Sequence, residues 1–346
     1  MSGKNLIFLI SQPRAGSTML QRLLQTHREI HTTAEPWIML HPLYGLKREG
    51  FSAEYNAAWA NDAVKDFYLK LPRGEESYFE GLRHMYGYLY QQVLEPSKSK
   101  YFLDKTPRYY HIIPELVRTF PEAKFVILLR NPLAVIASIL TTWIKQDYSK
   151  LRNFKHDLLD APRLLLQGTE LLKERSLSIV FYEQLLANPA AELTKICQQL
   201  ELEFTHEMLA CQPLEGKGFG YRDQSSKMLS SGLVSTNSNK WMLKFDHPQA
   251  WQIGSDYLEL LGKGTVDAMG YSYTDLTECL EAKKPKRFDL FSRLPLDWCF
   301  MSETEKRASR KKYLFARAVQ KVESLRKESG FDRQNEQAKT SFSQSF

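Results

Sequence analysis

Between residues 6 and 24 the chain reads LIFLISQPRAGSTMLQRLL. An apolar run stops at Ser11, a turn carries Arg14, Ala15 and Gly16, and Met19, Leu20, Leu23 and Leu24 then recur three to four apart. That order predicts a buried strand, a tight turn and a helix that Ser17 or Thr18 caps. Such a junction suits an anion, because the first helical turn leaves N–H groups unpaired and the helix dipole is positive there. Gly16 permits close backbone approach, Ser17 and Thr18 add hydroxyl groups, and Arg14 adds a two-pronged cation. The pattern departs from G-x-x-x-x-G-K-[ST]: no Lys precedes Ser17, and Ser11 stands where the first Gly would be.

A second candidate element reads FVILLRNPLAVIASIL. Arg130 closes an apolar run, Pro132 opens a helix, and Ser138 lies about two turns into it. An Arg at the carboxyl end of a strand sits at the ligand edge of an open α/β sheet, and burying it is costly without an anion. Other reactive types fall at similar junctions. Glu35 stands in TAEPW, 19 residues after Gly16, and Lys105 follows Asp104 in DKTPRYY. Asp104 is placed to orient Lys105 or Arg14. Tyr182 ends LSIVFY, while Ser225 and, fifteen residues on, Lys240 lie in a Gly- and Ser-rich stretch over 212–240. A stretch of that length without periodicity is usually functional or mobile. His27 and His31 bracket the end of the first helix and read as surface or supporting residues.

Together these motifs resemble the PAPS-dependent sulfotransferases, whose phosphosulfate loop is a strand, Pro-[Lys/Arg]-x-Gly-[Ser/Thr]-[Ser/Thr] and a helix. Here that segment is Pro13-Arg14-Ala15-Gly16-Ser17-Thr18. Arg in place of Lys is similar to the protein-tyrosine sulfotransferases and several bacterial enzymes. The resemblance covers roughly residues 5–245 as spaced short motifs, and 246–346 match no element of the family. It implies PAPS as co-substrate, PAP as product and no metal. It also implies contacts of Arg14, Ala15, Gly16, Ser17 and Thr18 with the 5′-phosphosulfate, and of Arg130 and Ser138 with the 3′-phosphate. Tyr182 would lie near the adenine, with Ser225 and Lys240 closing over the nucleotide. Glu35 is the implied base, with a His as the alternative, and Arg14 and Lys105 would neutralise the transferring sulfonate.

Positioning these groups calls for a particular frame. Apolar runs at 5–10, 101–104, 124–129 and 177–182 read as buried strands. Helical stretches fall near 17–26, 52–70, 76–95, 109–119, 132–144, 156–174 and 189–200. The alternation predicts an α/β fold with a central, mainly parallel sheet flanked by helices, which the resemblance narrows to a P-loop NTPase-like sulfotransferase fold. We expect a single domain over 1–282, a basic helical extension over 283–333 packed on it, and a flexible tail over 334–346. Ser302 with Glu305 forms a capping box, and Leu314, Ala318, Val322 and Leu325 follow as an apolar stripe among Lys and Arg.

The formal net charge of +7 divides unevenly over the 346 residues. Residues 283–346 hold 16 basic and 8 acidic groups, and the preceding 282 hold 31 and 32. The body is thus nearly neutral, which argues against a nucleic-acid partner. Cys197, Cys211, Cys279 and Cys299 form no C-x-x-C pair and no zinc template. They read as buried apolar residues in a reducing, cytoplasmic setting. No apolar run reaches the ~20 residues of a membrane span. The expected partner is a small-molecule or peptidyl hydroxyl acceptor, with oligomeric state, including a homodimer, left open. Twelve aromatic residues over 37–90 read mostly as core. Two alternative readings fit the same residues less well. One is a P-loop kinase of a nucleoside or small molecule, with Asp104 holding Mg²⁺. The other is a non-catalytic protein whose basic tail binds membrane or nucleic acid.

Overall fold

The computed structural model describes residues 3–48, 50, 53–210, 239–285 and 294–309. Five strands, β1 (Leu6–Ser11), β2 (Ile30–Thr32), β3 (Tyr101–Lys105), β4 (Lys124–Leu129) and β5 (Leu177–Phe181), pair in the order β2-β3-β1-β4-β5. Every pairing is parallel, with Phe8 opposite Asp104 on one side and Phe125 on the other. β1 is fully buried, so its side chains divide by the two-residue strand period. Leu6, Phe8 and Ile10 enter one apolar cluster, while Ile7 and Leu9 enter another on the opposite face.

Helices cover both faces: α1 (Ser17–Gln25), α2 (Leu40–Tyr44), α3 (Ala57–Tyr68), α4 (Glu75–Leu94), α5 (Ile113–Thr119), α6 (Pro132–Ile139), α7 (Lys155–Leu171), α8 (Tyr182–Ala187) and α9 (Pro189–Leu200). Further on lie α10 (Pro248–Ala268), α11 (Tyr273–Glu281) and α12 (Leu296–Phe300). Asn131, which the motif reading passed over, caps α6: its Oδ1 accepts from the amides of Leu133 at 2.9 Å and Ala134 at 3.4 Å. The helix expected over 132–144 keeps α-geometry to Ile139 and widens into a π-turn over Leu140–Ile144. A third apolar cluster joins α6 and α10 and includes Leu296 and Cys299 of α12.

Three expectations change. β2 was not anticipated, since IHT is too short and too polar to show periodicity. The cap of α1 is not Ser17 or Thr18 but Gly16, at φ 102°, with no side-chain cap. The aromatics over 37–90 divide between core and surface: Tyr44, Tyr78 and Tyr86 pack against the first apolar cluster, and Phe51 lies outside the described residues. Tyr68, Phe79 and Tyr90 are buried, but Tyr55, Trp59, Phe67 and Tyr88 are exposed, Trp59 to 73%. The apolar stripe of α3, unlike that of a core helix, faces outward while Asn61 is turned in to donate to the carbonyl of Leu46 at 2.8 Å. Ser302 and Glu305 make their reciprocal cap, whereas the stripe from Leu314 onward and the tail lie outside the described residues. Cys197 and Cys299 are buried free thiols, held by burial at about 11 and about 12, and Cys279 is free and half-buried. Among the described residues no helix is long and apolar enough to cross a membrane, and no His, Cys, Asp and Glu group could hold a metal.

Candidate active site at the carboxyl edge of the sheet

The candidate residues leave the carboxyl ends of all five parallel strands. The Gln12–Gly16 turn follows β1, Glu35 follows β2, Lys105 ends β3, Arg130 follows β4 and Tyr182 follows β5. The chain crosses from β1 outward to β2, returns through β3, and then continues on the other side of β1 with β4. The ends of β1, β3 and β4 thus flank the point where the winding reverses, the usual ligand crevice of such sheets.

Arg14 occupies a left-handed backbone conformation, φ 72°, beside Gly16 at φ 102°. A non-glycine residue there costs on the order of 1–3 kcal/mol and persists only where its surroundings hold it. The Arg14 carbonyl accepts from Arg130 Nη1 at 2.9 Å. Its guanidinium donates through Nε to Ser138 Oγ at 3.2 Å and through Nη2 to Thr142 Oγ1 at 3.4 Å, over the Trp143 ring at 5.1 Å. Ser138 and Thr142, four apart in sequence, thus meet Arg14 side by side. Thr142 and Trp143 were missed, although the i, i+4 spacing from Ser138 was a usable signal.

Gly16 is needed for a second reason. A Cβ on it would stand 2.2 Å from Cε2 of Tyr182. The other partner of that ring is Arg130, whose guanidinium carbon lies 4.2 Å from its centroid. Burial lowers the Arg130 pKa, against the pull of Tyr182 and Glu183. Arg130 Nε has no hydrogen-bond partner among the described residues. A buried guanidinium N–H left unpaired beside a glycine turn suits an anion acceptor. Glu183 holds the neighbouring structure, accepting from the Asn131 amide at 3.2 Å and the Tyr271 hydroxyl at 2.6 Å.

At the other end of the crevice Lys105 Nζ lies 2.6 Å from Glu35 Oε1 and 3.4 Å from Thr18 Oγ1. The ammonium therefore touches both the candidate base and the first turn of α1. Glu35 Oε2 accepts from the Trp37 indole at 3.0 Å. Arg108 stacks over Trp37 at 5.4 Å and is fixed by Asp157 through bonds of 3.0 and 2.5 Å. Asp157 also accepts from Tyr110, and its carbonyl accepts from Gln12 of the turn after β1. Arg108 lies within the DKTPRYY segment but was not singled out there, and Asp157 belongs to no motif that sequence spacing marks.

Asp104 orients neither Lys105 nor Arg14. Adjacent strand positions point to opposite faces, so Asp104 turns away from Lys105. It is 1% exposed and accepts from Tyr90 at 2.6 Å, Tyr109 at 3.0 Å and Thr106 at 2.8 Å. That enclosure also removes it as a metal ligand facing the turn. His27 is structural, with Nδ1 accepting from the Glu29 amide and Nε2 against the Glu203 carbonyl. His31 is half-buried, which lowers its pKa. Lys240 is exposed at the start of a short 3₁₀ turn, Lys240–Asp246, whose Trp241 packs against the cluster around α6. Ser225 lies outside the described residues.

A family model described as the sulfotransferase family matches residues 6–206. The nodulation protein NoeE of Sinorhizobium fredii is 35% identical over 136 residues, which is 39% of this chain and 31% of that protein. Protein-tyrosine sulfotransferase A of Caenorhabditis elegans is 21% identical over 227 residues, 61% of this chain and 53% of that one. The chain thus spans about a third to a half of the length of these curated relatives. Among solved structures, the sulfotransferase domain of the curacin biosynthetic pathway aligns with a TM-score of 0.44 at 21% identity, over 68% of this chain and 89% of that one. That of the Synechococcus PCC 7002 olefin synthase gives 0.40 at 21%, over 68% and 86%.

Proposed function

Since this chain belongs to the sulfotransferase family, we propose that it moves the sulfuryl group of PAPS to a hydroxyl acceptor, with Glu35 as general base. The observation that carries this reading is the position of Lys105, bonded to Glu35 at 2.6 Å and within 3.4 Å of Thr18. One ammonium thereby links the anion-binding turn to a carboxylate. A general base must reach the acceptor proton, and charge in sulfuryl transfer builds on the peripheral and bridging oxygens. The Lys105–Glu35 pair supplies a group for each task within one contact.

The donor residues fit a nucleotide with several negative charges. Gly16, Ser17 and Thr18 present the amino end of α1 together with Ala15 of the turn, and Arg14 lies across Ser138 and Thr142. Arg130 retains an unpaired Nε, and Tyr182 offers a ring beside Gly16. When bound, PAPS would supply an activated sulfuryl group whose leaving group is the 5′-phosphate of PAP. Lys105 would turn from Glu35 toward that anion, and Glu35, still held by Trp37, would accept the acceptor proton. The cationic side chains provide the charge neutralisation that a metal provides in phosphoryl transfer.

The acceptor is an alcohol or phenol, either free or on a peptide. Ser225 and Lys240 remain candidates for closing over the nucleotide. The reading also takes residues 283–346 as an appended basic segment and places the protein in the cytoplasm. Calorimetry with PAP tests the donor site: tight binding that Arg130→Ala weakens strongly is expected, and no binding to the wild type overturns the proposal. Incubating the protein with radiolabelled PAPS and cell extract, then identifying the labelled product by mass spectrometry, names the acceptor.

A further inference from the structure

Glu35 sits on a segment that would not hold its shape unaided. Trp37, two residues on, has φ 57°, the left-handed region that bulky side chains avoid. Such a conformation lasts only where neighbouring groups fix it. Two hydroxyl oxygens do so. The Trp37 amide donates to Thr106 Oγ1 at 3.4 Å, and the Met39 amide donates to the Tyr109 hydroxyl at 3.1 Å.

A hydroxyl oxygen accepts best when its own proton is committed elsewhere, and here both protons go to one carboxylate. Thr106 donates to Asp104 Oδ1 at 2.8 Å, and Tyr109 donates to Oδ2 at 3.0 Å. Tyr90 donates to Oδ2 as well, at 2.6 Å. An ionised carboxylate is acceptor-only, so it sets the direction of all three hydroxyls at once. The chain of bonds then runs from Asp104 through Thr106 and Tyr109 to the Trp37 and Met39 amides. From the Trp37 indole it reaches Glu35 Oε2 at 3.0 Å.

We propose that Asp104 is a positioning residue for Glu35, acting through the Thr106 and Tyr109 hydroxyls on the strained turn at Trp37. This rests on Glu35 being the base. Burial raises the Asp104 pKa to about 6, while the three hydroxyl bonds oppose the rise, so the charge is kept at a cost in solvation. Nothing in the anion turn asks for a carboxylate at this point, because Asp104 faces away from Lys105. An Asn of the same shape would present an N–H₂ to Tyr90 and Tyr109. The Tyr109 oxygen would then face two donors, the new amide and Met39 N–H, and its own proton would have no acceptor.

The test uses the full chain with Asp104→Asn, Tyr109→Phe and Glu35→Gln. Amide hydrogen exchange is read over 33–40 and, as a control, over β1 and β4. PAP affinity and sulfuryl transfer from PAPS to a simple phenol are measured on the same samples. The expected result is exchange at 33–40 faster by about tenfold or more in both Asp104→Asn and Tyr109→Phe, with the control strands unchanged. PAP affinity should hold within about threefold, while kcat falls by about 10²-fold, a loss that a misplacement of ~1 Å can bring. Unchanged exchange at 33–40 in both variants overturns the proposal. So does faster exchange spread equally over the sheet in Tyr109→Phe, the milder change. Should Glu35→Gln transfer as fast as wild type, the base assignment fails, and the exchange data still decide whether Asp104 fixes the turn.

Discussion

Lys105 Nζ stands 2.6 Å from Glu35 Oε1, with the lysine side chain 2% exposed and the glutamate 19%. Removing one partner of such a buried pair leaves a charge without compensation and typically costs about 3–5 kcal/mol. The loss should fall at the lower end here, because Glu35 keeps the Trp37 indole. Lys105→Met should therefore lower the unfolding free energy by about 3 kcal/mol. Adding Glu35→Gln to Lys105→Met should recover part of that loss, and denaturant unfolding of the four proteins in a double-mutant cycle checks it. Glu35→Gln alone should slow transfer by about 10²–10⁴-fold while PAP affinity is retained.

Gly16→Ala meets two obstacles together. Its φ of 102° is unfavourable for any L-residue, and the added methyl would stand 2.2 Å from the Tyr182 ring. The backbone part alone costs about 1–3 kcal/mol. Displacing Tyr182 would also disturb its stack with Arg130. We expect lower thermal stability and a loss of PAP binding by calorimetry. Gly16→Ala/Tyr182→Ala should regain stability but not affinity, since the turn is still strained and the ring is gone.

Arg130 should discriminate by ligand. If its unpaired Nε and neighbouring N–H groups meet the 3′-phosphate, Arg130→Ala should reduce PAP affinity by about 2–5 kcal/mol. Affinity for AMP, which lacks that phosphate, should change much less. Arg130→Lys should restore only part of the loss, because an ammonium neither stacks on Tyr182 as a plane nor spans two oxygens. Calorimetric titration of the three proteins with both nucleotides reads this directly.

Asp104 should leave a signature in stability against pH. Burial lifts its pKa from 3.8 to about 6. Between those values the folded state binds more protons than the unfolded chain, so stability falls as pH rises through the window. The ionised carboxylate thus opposes folding at neutral pH by about 3 kcal/mol relative to acid, an amount fully absent below pH 4. Denaturant unfolding of wild type and Asp104→Asn at pH 4.5 and pH 7 isolates it. The difference between the two proteins should shift in favour of the variant at the higher pH.

Much of the site was legible because anion chemistry is written locally. Pro13 to Thr18 lie on one turn, and Arg130, Pro132 and Ser138 share one strand–helix junction, so local spacing together with the family resemblance marks a candidate charge cradle. Lys105 and Glu35 were each marked by residue type. Their contact was not visible, because it depends on β2, three residues whose sequence carries no period, pairing with β3 at Ile30 opposite Tyr101. Asp104 was misassigned for the same reason that Lys105 was found. Both stand at the end of one strand, and the pleat sends them to opposite sides.

The sequence by itself determined the alternating fold, the turn after β1 and the identity of the cationic groups, since each follows from residues within about twenty positions of one another. Tertiary structure alone decided which carboxylate meets Lys105 and which ring closes on Gly16. It alone turned the stripe of α3 outward. The first two outcomes depend on side chains 70 and 166 positions apart meeting across parallel strands. Strand order and the sense of the pleat set such meetings, and neither is encoded in a local pattern.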